Sequence, residues 1–214
     1  MITEKEYIHL MSIHKNEQLG YDTIDKSLCK SLAQKVLDKE QYILNLGPAK
    51  YNNTPPNVIT GRHLYYNLLD FGWDELEPIK KKIIENSSKI IGGNEFCIKM
   101  WANVFRNGEG ITKHTHQNEP IEIDQSFRNS IFKTLCGHLF LESDYPSETI
   151  YYFNKGTEPI TNEVGDFHFF SMVVPHEVLP YKGKIRIGLA FDIYTSDFFD
   201  KLGIALPNDI RIIK

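Results

Sequence analysis

Three histidines and one arginine are the residues of this chain with the most chemistry to offer. His114 and His116 stand two apart in Lys113-His114-Thr115-His116. On an extended strand, positions two apart point to the same face, so both imidazoles project together. His176 follows in Pro175-His176-Glu177-Val178. Neutral imidazole is the commonest protein ligand for iron, zinc, copper and nickel. Three such donors on one side of a metal would leave other positions open for small molecules. Taken alone, His-x-His on a strand is more often two solvated side chains, and His176 alone is more often structural.

The arginine shifts that balance. From Lys184 to Phe191 the alternation is strict, with Ile185, Ile187, Leu189 and Phe191 on one face and Arg186, Gly188 and Ala190 on the other. An arginine flanked by two of the smallest side chains suggests a cavity into which the guanidinium projects. A guanidinium recognises a carboxylate through two parallel hydrogen bonds. The alternative is an edge strand whose Arg186 meets solvent. A short way downstream of a candidate ligand histidine, the cavity is the better reading.

These residues need a scaffold. The pattern predicts a helix over residues 23–39, with Asp22 or Thr23 as its cap and Ile24, Leu28, Leu32, Val36 and Leu37 at helical spacing. A second helix is predicted over residues 75–91, with Pro78 in its first turn, Ile79, Ile83, Ile84 and Ile90 as its apolar stripe, and Gly92-Gly93 ending it. From Phe96 onward the period changes. Short β-branched and aromatic runs, at 96–106, 112–116, 132–141, 149–154, 166–172 and 184–194, alternate with turn signals. Many short strands without intervening long helices predict an antiparallel sandwich or barrel.

The chain has 214 residues, which suits one domain with a core that needs no staples. We divide it into a helical and irregular part, 1–95, a β core, 96–194, and a C-terminal extension, 195–214. A net charge of −4 argues against a dedicated nucleic-acid binder, and Lys80-Lys81-Lys82 reads as a solvated helix face. Cys29, Cys97 and Cys136 are odd in number and widely spaced, as in a reducing compartment. With no recognisable signal segment and no apolar run of membrane-spanning length, a cytoplasmic protein without membrane partners is expected.

The order His114-Thr115-His116, Gly165-Asp166-Phe167, Pro175-His176-Glu177-Val178, Arg186 resembles the Fe(II)- and 2-oxoglutarate-dependent oxygenases. The blocks Trp101-Ala102-Asn103-Val104-Phe105 and Leu135-Cys136-Gly137-His138-Leu139-Phe140-Leu141 resemble a branch of them with a W-x-N strand and a strand with a central glycine. The resemblance implies a mainly β fold, a double-stranded β-helix (jelly roll) core flanked by helices. It implies Fe(II) held by His114, His176 and His116, and 2-oxoglutarate with its distal carboxylate on Arg186. Asn103 is a further cosubstrate contact by this resemblance. The implied activity is hydroxylation of an unactivated C–H bond, with O2, in a small molecule or an amino-acid or peptide side chain.

Two positions depart from the pattern. His116 stands where the family usually has Asp or Glu; the other reading has His116 turned away and Glu119 as the carboxylate. Gly188 stands where many members have a serine beside the arginine, so another hydroxyl is called for, with Tyr151, Tyr152 and Tyr181 as candidates. His116 fills the space that the halogenating branch leaves for halide. His9, His14 and His63 read as surface residues, His138 and His168 as satisfied core histidines, and Trp101 as core packing. Residues 51–66 have the composition of a lid. A monomer or a homodimer is expected. Two rivals stand beside this reading. One is a cupin-like three-histidine metalloenzyme that does not use 2-oxoglutarate. The other is a non-catalytic β-sandwich binding module.

Overall fold

The computed structural model describes residues 19–50, 53–116, 134–153 and 155–214. It is a double-stranded β-helix of two facing antiparallel sheets with helices packed on the larger one. In chain order the elements are β1 (Gly20–Thr23), α1 (Lys26–Leu44), two 3-10 turns (Ile59–Tyr65 and Leu68–Phe71), α2 (Leu76–Ile91) and β2 (Phe96–Phe105). Then follow β3 (Ile111–His114), β4 (Thr134–Ser143), β5 (Glu148–Phe153), β6 (Gly156–Thr161), β7 (Asp166–Phe170), β8 (His176–Val178), β9 (Arg186–Thr195), α3 (Phe198–Lys201) and β10 (Arg211–Ile213). The major sheet has the order β1-β7-β4-β9-β2-β10 and the minor sheet β3-β8-β5-β6.

The outer face of the major sheet is the dry core. Phe167, Phe169, Phe191, Leu139, Leu189 and Ile98 are buried there with Leu32, Ala33 and Val36 of α1 and Ile79 and Ile83 of α2. Gly137 is the central glycine of β4, and sterics explain it. A Cβ there would lie 2.1 Å from the His168 carbonyl oxygen and 2.5 Å from the Phe191 ring. Any side chain would therefore push β4 off β7.

Several expectations need correction. The first helix is capped by Asp25, whose carboxylate accepts from the Ser27 and Leu28 amides. Asp22 and Thr23 lie in β1, an edge strand paired with β7, and the helix runs on to Leu44. In α2, Ile90 is exposed and Ser87 is buried in its place. The Lys80–Lys82 run is tied down, Lys80 to Glu77, Lys81 to Glu85 and Lys82 to Asp22. Strands β1, β6, β8 and β10 carry too little apolar alternation to be read from sequence. Pro159 sits in β6, an edge strand, where its missing N–H costs little. Among the described residues no helix is long and apolar enough to cross a membrane.

Candidate metal centre

Strand pairing builds the inner face of the major sheet row by row. On β9 that face carries Arg186, Gly188, Ala190 and Asp192. Opposite them on β2 stand Phe105, Asn103, Trp101 and Lys99. On β4, Phe140 stands opposite Gly188, His138 opposite Ala190 and Cys136 opposite Asp192. The minor sheet faces this floor with one row of its own, His114 beside His176 beside Tyr151. His116 follows β3, its amide bonded to the Met172 carbonyl. Two sheets, each with period-two alternation, thus aim all the candidate residues into one cleft.

One ring nitrogen from each of His114, His116 and His176 lies within 4.8 Å of those of the other two. The opposite edge of every ring is already engaged. Nδ1 of His114 bonds the Thr112 carbonyl at 2.9 Å, Nδ1 of His176 bonds the Val174 carbonyl at 3.0 Å, and Nδ1 of His116 bonds the Asp192 carboxylate. All three partners are acceptors, so each Nδ1 donates and Nε2 is the nitrogen left for another partner. Burial, and then the neighbouring His116, pushes His114 down to about 4. Burial, then His114 and His116, holds His176 well below the usual imidazole range. His114 and His176 are thus neutral at pH 7, and the three rings stand together and oriented, an arrangement that suits a transition-metal ion. Glu119, the alternative carboxylate, lies outside the described residues.

Arg186 is 3% exposed at the far wall of the same cleft, which holds about 520 Å³ of empty space, its mouth included. Its Nε donates to Ser147 Oγ at 2.7 Å, and its guanidinium lies against the Phe140 and Phe105 rings. No carboxylate among the described residues meets it. Burial pulls it down to about 10, and only the phenols of Tyr151 and Tyr181 offset this. A buried guanidinium without a carboxylate partner is a costly feature in a folded chain and fits a site for an anion. The floor beside it is open because Gly188 and Ala190 carry almost no side chain.

The hydroxyl on Arg186 is Ser147, which sequence reasoning missed. Tyr151 Oη bonds His138 and His168, Tyr152 Oη bonds Glu177, and Tyr181 Oη bonds the chain around Asp144 and Tyr145. Ser147 lies outside the motif, beyond a bulge in the β4–β9 pairing, so spacing could not have indicated it. Asn103 reaches the cleft wall, its Oδ1 accepting from Thr60 Oγ1 at 2.8 Å.

Two histidines expected to be bland sit close to this chemistry. His138 lines the cleft, bonded to Asn162 Oδ1 at 3.3 Å and Tyr151 Oη at 3.1 Å; Tyr151 Oη in turn meets His168 Nδ1 at 3.2 Å. His63, expected at the surface, packs on Trp101 with ring centroids 5.1 Å apart. With Asn53, Thr60, Thr115 and Asp192, His63 lines a second opening onto His114 and His116. Trp101 belongs to the buried core, as expected, and also lines both openings. Of the segment 51–66, the described part crosses this second opening and is pinned where the Thr112 amide bonds the Asn53 carbonyl. His9 and His14 lie outside the described residues.

Burial gives the pair behind the cleft a measurable consequence. It pushes His168 from 6.5 down to about 4 and holds His138 well below the usual imidazole range, with His168 and Arg186 adding to the effect on His138. Below about pH 6.5 the unfolded chain binds protons that the folded one refuses, so stability is full above that pH and falls as pH drops toward 4. The slope reaches ~1.4 kcal/mol per pH unit for each such histidine. Urea midpoints taken from about pH 7 to 5 should fall steeply, and His168→Asn should flatten the curve. An unchanged slope in that variant would remove His168 from the account.

No family model matches this chain, and no curated protein matches it in sequence. Solved structures do share its fold. A prolyl-4-hydroxylase of Pseudomonas putida superposes with a TM-score of 0.54 over 87% of this chain and 97% of its own, at 13% identity. HygX of Streptomyces hygroscopicus, with nickel and 2-oxoglutarate bound, gives 0.60 over 92% and 88%, at 8% identity. SnoN, a non-heme α-ketoglutarate-dependent epimerase from nogalamycin biosynthesis, gives 0.57 over 91% and 84%, at 8% identity. At such identities the likeness is one of fold, and function has to be argued from the site.

Proposed function

We propose that this chain, which has the double-stranded β-helix fold of the 2-oxoglutarate-dependent oxygenases, is itself an Fe(II)- and 2-oxoglutarate-dependent oxygenase. His114, His116 and His176 would hold the ferrous ion through Nε2. Arg186, steadied by Ser147, would take the distal carboxylate of 2-oxoglutarate, with Asn103 on the cleft wall. The observation that carries this reading is the buried guanidinium, with no carboxylate partner among the described residues, in the same cleft as three oriented imidazoles. A cupin-like metalloenzyme that needs only its three histidines has no use for that arginine. A plain binding module has no use for three lone pairs aimed at one point.

Ferrous iron and 2-oxoglutarate, when bound, supply with O2 the oxidising chemistry that side chains lack. The chain's own part is positioning. The Nδ1 acceptors lock each imidazole in one tautomer. The Phe105 and Phe140 rings against the guanidinium, with Phe170 in the cleft lining, make an apolar surrounding that would strengthen the hold of Arg186 on a carboxylate. The opening past His63, Thr60 and Asn53 gives a small molecule or peptide side chain its own approach to the metal side. We take hydroxylation as the outcome. The fold hosts others, since SnoN is an epimerase.

The test is anaerobic titration of metal-free protein with Fe(II), then 2-oxoglutarate, following the visible charge-transfer band of the chelated cosubstrate. A saturable band is expected. Iron binding without a band would leave the three-histidine metalloenzyme standing and remove 2-oxoglutarate. No iron binding would end the enzyme reading.

A further inference from the structure

His116 occupies a position where the family that the sequence resembles usually has a carboxylate ligand, so the three-histidine set among the described residues puts no negative charge in contact with a cation. The structure holds a carboxylate one step farther out. Asp192 accepts from His116 Nδ1, and the two side chains are 15% and 7% exposed. Asp192 comes from β9, on the same face as Arg186, with Lys99 and Cys136 as its cross-strand neighbours. Lys99 is bonded to Asp209 instead. The strand that presents the anion-binding arginine at one end of the cleft therefore presents an aspartate at the metal end.

A second arrangement competes for these atoms. His116, Cys136 and Asp192 also place ligand-type atoms within 4.8 Å of one another. Metal binding there would need Cys136 as a thiolate. Its side chain is fully buried and its Sγ donates to the Phe170 carbonyl at 3.6 Å. Sγ is turned to the Phe170 carbonyl and the Asp192 carboxylate is engaged by His116 Nδ1, so this trio is better read as one ligand histidine and its support.

We propose that Asp192 is the outer carboxylate of the metal centre, a positioning residue that fixes His116 with Nε2 toward the cation and supplies through the imidazole the charge a bound carboxylate would give. The inference rests on the proposed iron site and adds to it a residue that spacing did not reveal. A carboxylate on a ligand imidazole both fixes its tautomer and raises its basicity. The arrangement keeps a carboxylate in the centre while the contact position is filled by nitrogen.

The experiment compares wild type, Asp192→Asn and His116→Asp/Asp192→Asn in anaerobic Fe(II) titrations, with the Fe(III)/Fe(II) potential read on each loaded protein. Asp192→Asn keeps the shape and is expected to weaken Fe(II) binding by about 10- to 100-fold. It should also raise the potential, because ferric iron loses more than ferrous iron when negative charge is removed. The double variant puts the carboxylate in contact with the metal and should recover most of the affinity. Wild-type affinity and potential in Asp192→Asn would overturn the inference while leaving the iron site intact. Loss of binding in both variants would also overturn it, by showing that Asp192 acts through structure and not charge. Failure of wild type to bind Fe(II) would instead sink the iron site, and this inference with it.

Discussion

Arg186→Met is expected to abolish 2-oxoglutarate binding while leaving the ligand-free protein as stable as wild type or more so. The guanidinium is 3% exposed, has no carboxylate partner among the described residues and is pulled down to about 10 by burial. Its hydrogen bond to Ser147 and its contacts with Phe105 and Phe140 offset only part of the desolvation. Replacing buried charge with an apolar side chain of similar volume is often neutral or stabilising. Removing one partner of a buried ion pair costs about 3–5 kcal/mol, so the cosubstrate should bind at least about a hundredfold more weakly. Thermal melts with Fe(II) present separate the two effects. In wild type, 2-oxoglutarate at roughly a hundred times its Kd adds about 2.7 kcal/mol, which raises Tm by about 5–10 °C in a chain of this size. In Arg186→Met that rise should vanish, although the starting Tm holds. A variant that still shows the ligand-induced rise would place the cosubstrate carboxylate elsewhere. A variant with a much lower starting Tm would make Arg186 a structural residue.

The legible part of this molecule was the part carried by local alternation. Arg186, Gly188 and Ala190 could be placed on one face because β9 alternates without interruption, and that face does line the cleft. The same strand runs on to Asp192, but the reading stopped at Ala190, where the small-residue pattern ended. His63 was misplaced because no local pattern surrounds it; a 3-10 turn packed on β2 brings it to Trp101. Ser147 was invisible for a related reason, since a bulge between Phe140 and Glu142 shifts the register that leads to it. Strand period, apolar stripes and glycine stops are short-range properties. Which loop closes over a cleft, and which hydroxyl reaches an arginine across a bulge, depend on contacts distant in sequence.

His176→Leu should remove metal binding and, like Arg186→Met, do so without loss of stability in the metal-free protein. His176 is 7% exposed and sits between the Phe170 ring, 4.8 Å away, and the Tyr151 ring, 6.0 Å away, so a branched apolar side chain suits its surroundings. Among the described residues its ring bonds through Nδ1 to the Val174 carbonyl, in a short turn that the Val174 amide also closes on the Ser171 carbonyl. The ring is therefore held for its Nε2. Structural zinc sites gain about 10–16 kcal/mol from four ligands, or about 3 kcal/mol each, so losing one of three nitrogens should weaken Fe(II) by more than about a hundredfold. The pH dependence in wild type separates this site from a set of solvated histidines. Ligand imidazoles must be neutral to bind, and free ones lose about tenfold in affinity per ligand for each pH unit below their pKa. His114 is already held at about 4 and His176 well below the usual imidazole range, so from about pH 7 to 6 neither should take up a proton that competes with the metal. Fe(II) affinity that in wild type falls over that interval by much less than three free imidazoles would give, and that is lost in His176→Leu with an unchanged metal-free Tm, is the expected pair of results. Affinity that falls steeply from pH 7 to 6 would mean that the three rings stand in water and that the centre is assembled by the metal, not by the fold.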